Sequence, residues 1–198
     1  MLRIGLTGSI ATGKSTVLAM FEDLGIPVFS SDDAVHRLYA GRAAPELDRL
    51  FPGVARDGVV DRTELSRRLL ATPERLAEIE AVVHPMVRDE VARFFDAAEQ
   101  EGAPLAVADV PLLFERGFDY GLDAVIVTVV DESVQRERAL ARPGMSVEKL
   151  DAILARQMPQ ADKKRRADHV IDTSISIEAT RRAVEALVEN LKASRNSP

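Results

Sequence analysis

The sequence contains no cysteine. Disulfide bonds, thiolate catalysis and cysteine-ligated zinc or iron–sulfur centres are therefore excluded together. The three histidines, His36, His84 and His169, share no spacing that would indicate a metal site. Long apolar runs are also lacking, because the stretch 124–130 falls well short of the roughly 18 residues that a membrane-spanning helix needs.

An excess of positive charge is missing as well. The formal net charge is −6, which argues against a general binder of nucleic acids or membrane surfaces, since both are polyanions. The first residues show no signal-peptide pattern, so we expect a cytoplasmic protein. A length of 198 residues and a hydrophobic content of 46% are typical of a single globular domain, residues 1–198, and we expect a monomer or a small homo-oligomer.

Five short apolar runs predict buried strands, because their apolar residues are continuous rather than alternating. These runs are Leu2–Leu6, Pro27–Ser30, Leu105–Val110, Ala124–Val130 and His169–Ile171. Helical patterns lie between them, and the clearest are Lys14–Leu24 and Ile177–Leu191. Strands that alternate with helices predict a three-layer α/β/α fold, in which helices cover both faces of a parallel five-stranded sheet.

Two insertions interrupt this alternation. Residues 31–104 are mostly helical by pattern, with helix starts at Asp61 and Thr72 and a helix break at His84-Pro85, and they predict a small helical sub-domain for a substrate. Residues 142–166 contain a turn, a helix and a basic run, and they predict a lid. The nucleotide-binding core would then comprise residues 1–30, 105–141 and 167–193.

The segment from Gly8 to Ser15 matches the complete phosphate-loop pattern, with a strand predicted before it and a helix after it. In such a loop the backbone N–H groups turn inward around phosphate oxygens, and the helix start adds its positive dipole end. Lys14 is expected to reach the β- and γ-phosphates of ATP, and the Ser15 hydroxyl to help hold Mg²⁺. The residues expected to bind ATP here are Gly8, Ala11, Thr12, Gly13, Lys14, Ser15 and Thr16.

A phosphate loop occurs in kinases, GTPases, ATPases and ligases, so it does not by itself define the reaction. A guanine-specific switch carries an Asn-Lys-x-Asp motif, but the only asparagines are Asn190 and Asn196, near the C-terminus. The helical insertion and the lid-like segment favour a small-molecule kinase, because such an enzyme must exclude water to avoid hydrolysing ATP.

Acidic residues follow the second and third predicted strands. Carboxyl ends of strands in an open α/β sheet face the ligand crevice, so Asp32 or Asp33 is a candidate to accept a proton from an attacking hydroxyl. Capping of the next helix is an equally good use of an Asp at this position. Asp109 is a candidate for a water-mediated Mg²⁺ contact, with capping of the next turn as the alternative.

The basic residues cluster towards the lid. Arg138 and Arg142 are four residues apart on a predicted helix and therefore share a face, and a guanidinium fork suits phosphate oxygens. The alternative is a solvated face that pairs with neighbouring acids. For the run Lys163–Arg166 we expect solvated surface. His84 either closes a helix end or has a role in the site.

Together these residues resemble one family, the dephospho-coenzyme A kinases, over nearly the whole chain from Arg3 to about Leu191. The resemblance begins at the phosphate loop and continues with Leu24-Gly25 and an acid after strand two. Its most specific marks are His84-Pro85, the run from Val110 to Glu115, the Arg138-x-x-x-Arg142 pair, Gln157, and Asp168-x-Val170-Ile171.

The resemblance implies transfer of the γ-phosphoryl group of ATP to the 3′-hydroxyl of dephospho-coenzyme A, the last step of coenzyme A synthesis. It implies that Asp32 is the general base and that Lys14 and Arg142 stabilise the charge on the transferred group. The same resemblance implies an acceptor site that contains Asp32, His84, Arg88, Leu113, Phe114 and Glu115, with ATP contacts from Arg138 and Arg142.

The chain departs from the family pattern at four places. Ser30 replaces the first acid of an Asp-Ala-Asp motif, Ser9 replaces a loop glycine, Pro143 replaces an acid, and Thr173 replaces an asparagine. Two other functions remain open at this point: a kinase for a nucleoside or nucleotide, and a non-catalytic nucleotide-binding regulator.

Overall fold

The structure of the protein is a computed structural model in which residues 1–195 are described. Residues 196–198, and with them Asn196, lie outside this range. Clustering of contacts divides the chain into two compact units, one formed by Met1–Phe29 with Phe95 onward, and the other by Ser30–Phe94. The second segment of the first unit starts at Phe95, so the last ten residues of the predicted helical insertion, 95–104, belong to the first unit. The boundary falls within a long helix.

Five strands of the first unit form a wholly parallel sheet in the order β2-β5-β1-β6-β7. This confirms the predicted α/β fold with a parallel five-stranded sheet. The strands in chain order are β1 (Leu2–Gly8), β2 (Val28–Phe29), β3 (Ala55–Arg56), β4 (Val59–Val60), β5 (Leu105–Asp109), β6 (Ala124–Val129) and β7 (His169–Asp172). Strands β3 and β4 belong to the second unit and pair with each other.

Ten α-helices and one short 3₁₀ segment are described. The helices are α1 (Lys14–Asp23), α2 (Ser31–Tyr39), α3 (Ala44–Leu50), α4 (Arg62–Ala71), α5 (Leu76–Gln100), α6 (Leu113–Arg116), α7 (Glu132–Leu140), α8 (Val147–Leu154), α9 (Gln160–Arg166) and α10 (Ile177–Arg195). The 3₁₀ segment spans Pro73–Arg75 and directly precedes α5.

The core of the first unit lies between the sheet and helices α1 and α10. Ile4, Leu6, Val107 and Ile126 of the strands are completely buried there with Phe21 of α1, and Val184 of α10 joins the same cluster. All five residues of β5 are buried, so both faces of that strand are covered. This is the burial that its continuous apolar sequence predicts.

Helix α1 ends as its sequence predicts. Gly25 adopts a left-handed conformation with φ of +72°, and its N–H donates to the carbonyl of Glu22. Glycine adopts this conformation without the steric cost of a side chain. Pro27 directly precedes β2. The phosphate loop and β2 both belong to the first unit.

The second unit contains a hairpin that the helical prediction for residues 31–104 missed. Asp57 and Gly58, with φ of +51° and +77°, form the two-residue turn between β3 and β4. An Asp-Gly pair favours this turn, because both central residues need a positive φ. The helix start predicted at Asp61 is confirmed, since its side chain accepts a hydrogen bond from the N–H of Glu64.

The helix break predicted at His84-Pro85 is wrong. Helix α5 continues from Leu76 to Gln100 with Pro85 inside it. Ile79, Val83 and Val87 are buried at a spacing of four residues on both sides of the proline. Burial of this apolar stripe favours one continuous helix over the local loss of a hydrogen bond at Pro85.

Candidate active site

The phosphate loop connects the end of β1 to the start of α1. Ala11 and Gly13 have φ of +61° and +77°, so the chain twice enters the left-handed region between Gly8 and Lys14. Alternation of right- and left-handed residues turns successive N–H groups towards one concave side, where they can bind an anion. A left-handed alanine is uncommon and costs conformational energy, which is typical of backbone at functional sites.

Buried threonines hold this loop against the sheet. The hydroxyls of Thr12 and Thr128 lie 2.7 Å apart, and Thr12 Oγ1 also donates to the carbonyl of Ser9 at 2.8 Å. Thr173, which follows β7, donates from its hydroxyl to the carbonyl of Thr12 at 3.0 Å. The loop therefore rests on hydroxyl contacts from two strands, and the family asparagine that Thr173 replaces is not needed for them.

Gly8 is required by this packing. A Cβ atom at Gly8 would lie 2.6 Å from the Thr12 hydroxyl and would also collide with the hydroxyl of Thr128. Neither hydroxyl can move away without breaking a buried hydrogen bond. The close approach of β6 and Thr12 therefore explains why the first residue of the motif is glycine.

Lys14 and Asp109 form an ion pair at the start of α1. The Lys14 Nζ contacts Asp109 Oδ1, and both side chains are mostly buried. Asp109 is the last residue of β5, which is adjacent to β1 in the sheet. The structure thus brings together the residue expected to contact phosphate and the acid expected near Mg²⁺.

Arg138 and Arg142 lie beside the loop, on and just after α7. The guanidinium of Arg138 donates to the hydroxyl and to the carbonyl of Thr173, at 3.1 Å and 2.9 Å. Both arginines line a cavity of about 340 Å³ together with Gly13 and Thr16. Arg142 is exposed, and its guanidinium makes no hydrogen bond or ion pair with the side chains described among residues 1–195.

The residues present are compatible with Mg²⁺ held together with phosphates. The Ser15 hydroxyl is exposed at the first turn of α1, and the Asp109 carboxylate lies beside Lys14. Within residues 1–195 no group of three or more His, Asp or Glu side chains has the geometry of a metal site. Mg²⁺ commonly needs no such cage, because one or two protein oxygens, water and substrate phosphates complete its shell.

Asp32 does not cap α2. The N-cap is Ser30, whose hydroxyl accepts a hydrogen bond from the N–H of Asp33 at 3.2 Å. Asp32 and Asp33 are both exposed in the first turn of this helix. The capping alternative for the acid after strand two is therefore wrong, while the choice between Asp32 and Asp33 as a base stays a prediction.

His84 and Arg88 are half-buried on α5 and four residues apart, so they lie on the same face of that helix. Their predicted contact with an acceptor stays a prediction. Helix α6 carries Leu113 and Phe114, and Leu113 is buried.

Glu115 of α6 contacts the predicted lid. One of its carboxylate oxygens, Oε1, accepts a hydrogen bond from the N–H of Met158 at 2.7 Å and lies 2.9 Å from the Lys163 Nζ. Lys163 is fully buried, so the expectation that this residue belongs to solvated surface is wrong. The ion pair is not aligned as a hydrogen bond, and Glu115 Oε2 is buried without a hydrogen-bond partner among the described residues.

Burial would raise the pKa of Glu115, but the nearby Lys163 ammonium and the hydrogen bond from the Met158 N–H together stabilise the carboxylate more strongly. The pKa of Glu115 therefore lies below its ordinary value. Only an ionised Glu115 compensates the buried ammonium of Lys163.

Three glutamines contact the outer side of the phosphate loop or one another: Gln135, Gln157 and Gln160. Sequence reasoning assigned none of them a role, although Gln157 is among the family marks. Gln135 is almost fully buried on the otherwise polar helix α7. No periodicity in the sequence distinguishes it from an exposed glutamine.

Replacement of Gly8 by Ala tests the contact with β6. We expect Gly8→Ala to weaken ATP binding at least about tenfold. The added Cβ displaces the loop and breaks at least one buried hydrogen bond, which costs about 1–3 kcal/mol. Calorimetric titration with a non-hydrolysable ATP analogue measures this. Gly41→Ala is the control, since its Cβ would meet only the Arg37 carbonyl at 3.7 Å; equal affinities for both variants would contradict the prediction.

Replacement of Glu115 by Gln tests the buried pair. At pH 7 we expect a loss of about 3–5 kcal/mol in the free energy of unfolding, because the Lys163 ammonium remains buried without its counter-charge. The folded-state pKa lies below the unfolded one, so this contribution is complete above the usual Glu value of about 4.3 and disappears as the pH falls through the folded pKa.

The difference between wild type and Glu115→Gln should therefore shrink as urea unfolding is repeated from pH 7 towards pH 3. Asp162→Asn removes an exposed partner of Arg165 and serves as the control, with an expected loss below about 1 kcal/mol. If the loss in free energy of unfolding caused by Glu115→Gln stays constant with pH, an ionised Glu115 does not stabilise the fold by compensating Lys163.

Among residues 1–195, no helix is long and apolar enough to cross a membrane. The family model described as dephospho-CoA kinase matches residues 2–179. A dephospho-CoA kinase of Rhizobium meliloti is 49% identical over 193 residues, which cover 98% of this chain and all of the relative.

Solved structures agree with the fold. A crystal structure of a Thermus thermophilus protein is 36% identical with a TM-score of 0.78, and the match covers 96% of this chain and 97% of the other. The structure of a dephospho-CoA kinase from Campylobacter jejuni, at 24% identity and a TM-score of 0.75, covers 98% of each chain. The match of the family model to most of the chain and the full-length identity of nearly one half show that this chain belongs to the dephospho-CoA kinase family.

Proposed function

We propose that the protein transfers the γ-phosphoryl group of ATP to the 3′-hydroxyl of dephospho-coenzyme A, which yields coenzyme A and ADP. The observation that carries this proposal is a complete phosphate loop in a chain that belongs to the dephospho-CoA kinase family over residues 2–179. The loop is a site for the phosphates of ATP, and membership of the family indicates that dephospho-coenzyme A is the acceptor.

The loop geometry supports binding of the triphosphate. Inward N–H groups between Gly8 and Lys14 and the dipole of α1 attract the phosphate oxygens. The Lys14 ammonium lies at the same helix end and would contact the β- and γ-phosphates. Arg138 is fixed by Thr173, whereas Arg142 is exposed at the cavity edge and would follow the γ-phosphate during transfer.

Mg²⁺ would be held by Ser15 directly and by Asp109 through water. The ion supplies charge neutralisation between the β- and γ-phosphates when it is bound. Asp109 is already next to Lys14, so this carboxylate helps to orient the ammonium as well. Ser15 and Asp109 come from α1 and β5, which are parts of the same compact unit.

Asp32 is proposed as the general base for the 3′-hydroxyl. Its side chain is exposed in the first turn of α2, where a substrate hydroxyl can approach it. Ser30 already satisfies the helix end, so Asp32 is available for chemistry. In the proposed step, a carboxylate oxygen of Asp32 takes the hydroxyl proton as the hydroxyl oxygen attacks phosphorus and ADP leaves.

The acceptor is proposed to contact His84, Arg88, Leu113 and Phe114. His84 and Arg88 share a face of α5 and offer a hydrogen-bonding ring and a guanidinium. For Glu115, the observed contacts with Met158 and Lys163 favour a role in fixing residues 158–163 over direct contact with the acceptor.

An acceptor screen tests the reaction. We expect ADP release, measured with a coupled assay, to depend on dephospho-coenzyme A and not on nucleosides, shikimate or nucleoside monophosphates. Product analysis should show the new phosphate on the 3′-oxygen. Turnover with a nucleoside at a higher kcat/KM would refute the proposal in favour of another small-molecule kinase, and ATP binding without any turnover would favour a regulator.

Replacement of Asp32 by Asn tests the base. A general base typically contributes a factor of about 10²–10⁴, so we expect kcat to fall by that factor while the affinity for ATP is retained. Asp33→Asn is the matched control, because Asp33 is equally exposed in the same helical turn. If Asp33→Asn causes the large loss and Asp32→Asn does not, the base is Asp33.

A further inference from the structure

Glutamine side chains bind two consecutive peptides in the middle of the phosphate loop, Ser9–Ile10 and Ile10–Ala11, through the N–H and the carbonyl of Ile10. Its N–H donates to Gln157 Oε1 at 2.9 Å, and its carbonyl accepts a hydrogen bond from Gln135 Nε2 at 2.7 Å. The N–H of Ile10 is therefore bound within the protein by Gln157. Ile10 directly precedes Ala11, the residue with the left-handed conformation.

The amide orientation of Gln135 is determined by a third glutamine. Gln160 Nε2 donates to Gln135 Oε1 at 2.9 Å, so the NH₂ group of Gln135 must face the Ile10 carbonyl. Gln160 in turn accepts from the N–H of Val130 at 3.0 Å. The hydrogen bonds thus run from Val130 through Gln160 and Gln135 to the Ile10 carbonyl, while Gln157 binds the Ile10 N–H.

This chain of bonds connects the predicted lid to the phosphate loop. Gln157 lies between α8 and α9, and Gln160 begins α9, while Gln135 belongs to α7. The same stretch is attached to α6, because the N–H of Met158 donates to Glu115 and Lys163 pairs with Glu115. Gln157 therefore attaches this stretch to the loop, and Met158 and Lys163 attach it to α6.

A peptide whose N–H or carbonyl is bound by a side chain is restrained in orientation, and it limits the orientation of the next peptide. If the Ile10 N–H or carbonyl loses its partner, a part-buried polar group loses its hydrogen bond, which costs about as much as a tenfold change in an equilibrium constant. Rotation of the affected peptide, Ser9–Ile10 for the N–H and Ile10–Ala11 for the carbonyl, relieves that cost. Rotation of Ile10–Ala11 turns the Ala11 N–H itself, and rotation of Ser9–Ile10 displaces the Ser9 carbonyl from the Thr12 hydroxyl that binds it.

We propose that Gln157 and Gln135 are positioning residues for the triphosphate: they hold the peptides on either side of Ile10 and thereby keep the following N–H groups of the loop directed at ATP. This proposal rests on the phosphate-binding part of the proposed function and not on the identity of the acceptor. It assigns to residues 157–160 a role in the nucleotide site in addition to the lid role predicted for residues 142–166. Neither glutamine touches the reacting atoms.

The two glutamines use opposite atoms of the amide, and this gives a discriminating experiment. At position 157 an acceptor is needed, so Gln157→Glu retains the contact and Gln157→Met removes it. At position 135 a donor is needed, so Gln135→Glu places a carboxylate oxygen against the Ile10 carbonyl. We expect Gln135→Glu to be more harmful than Gln135→Met.

The dissociation constant of a non-hydrolysable ATP analogue is measured by calorimetry, and the Michaelis constants for ATP and dephospho-coenzyme A are measured separately. Gln157→Met should weaken analogue binding and raise the KM for ATP about tenfold, as expected for one unpaired buried group. Gln157→Glu should stay within about threefold of wild type, and the KM for the acceptor should stay within about twofold in both variants.

The control for general destabilisation is Asp168→Leu. Asp168 accepts a hydrogen bond from the N–H of Val125 at 2.8 Å, so this variant removes a side-chain acceptor from a backbone N–H at the other end of β6. Its melting temperature should fall while the affinity for the ATP analogue stays at the wild-type value. All assays are run at least ten degrees below the lowest melting temperature in the set.

The proposal is overturned if Gln157→Met binds the analogue as tightly as wild type, or if Gln157→Glu and Gln157→Met weaken binding equally. It is also overturned if Asp168→Leu weakens analogue binding as much as Gln157→Met. Because analogue binding requires no acceptor, a wild-type enzyme that binds ATP but does not phosphorylate dephospho-coenzyme A would refute the proposed function and leave this inference to be decided by the variants.

Discussion

The phosphate loop must direct its N–H groups towards a ligand, and its other polar groups must then be satisfied by the rest of the protein. Such a loop satisfies few of these groups within itself, whereas a helix or a sheet pairs nearly all of them. The carbonyls of Ser9, Ile10 and Thr12 accept hydrogen bonds from side chains, and the N–H of Ile10 donates to one. Much of the surrounding structure serves this requirement.

The side chains that meet it come from several separate segments. Thr128 lies on β6, Thr173 follows β7, Gln135 lies on α7 and Gln157 precedes α9. Parallel strands β1, β6 and β7 are adjacent in the sheet, and their carboxyl ends therefore bring these segments to one edge. The order of strands thus places the loop's supports as well as the loop.

Features with a strong local signal were predictable from sequence. The continuous apolar runs predicted all five strands of the main sheet, and the glycine pattern of residues 8–15 predicted the loop between β1 and α1. These predictions succeed because burial on both faces and a positive φ each restrict the allowed residue types. The hairpin at Asp57-Gly58 had such a signal too, but the helical pattern on either side of it dominated the prediction.

Other features depend on contacts between residues far apart in sequence. Pro85 indicates a helix break locally, and only the burial of the stripe on both sides of it shows why α5 continues. Lys163 lies in a run of four basic residues and looks exposed, yet its carboxylate partner is on α6. The roles of Gln135 and Gln160 likewise follow from hydrogen bonds that no spacing reveals.

The ion pair between Lys14 and Asp109 would couple the proposed binding of nucleotide and Mg²⁺. If the phosphates of ATP attract the Lys14 ammonium as proposed, they draw it from a carboxylate that is almost completely buried. Nucleotide binding would then exchange one ionic partner of Lys14 for another, and the Asp109 carboxylate would gain affinity for a divalent cation. Thermodynamic linkage would make this coupling reciprocal, so a bound cation would raise the affinity for the nucleotide by the same factor.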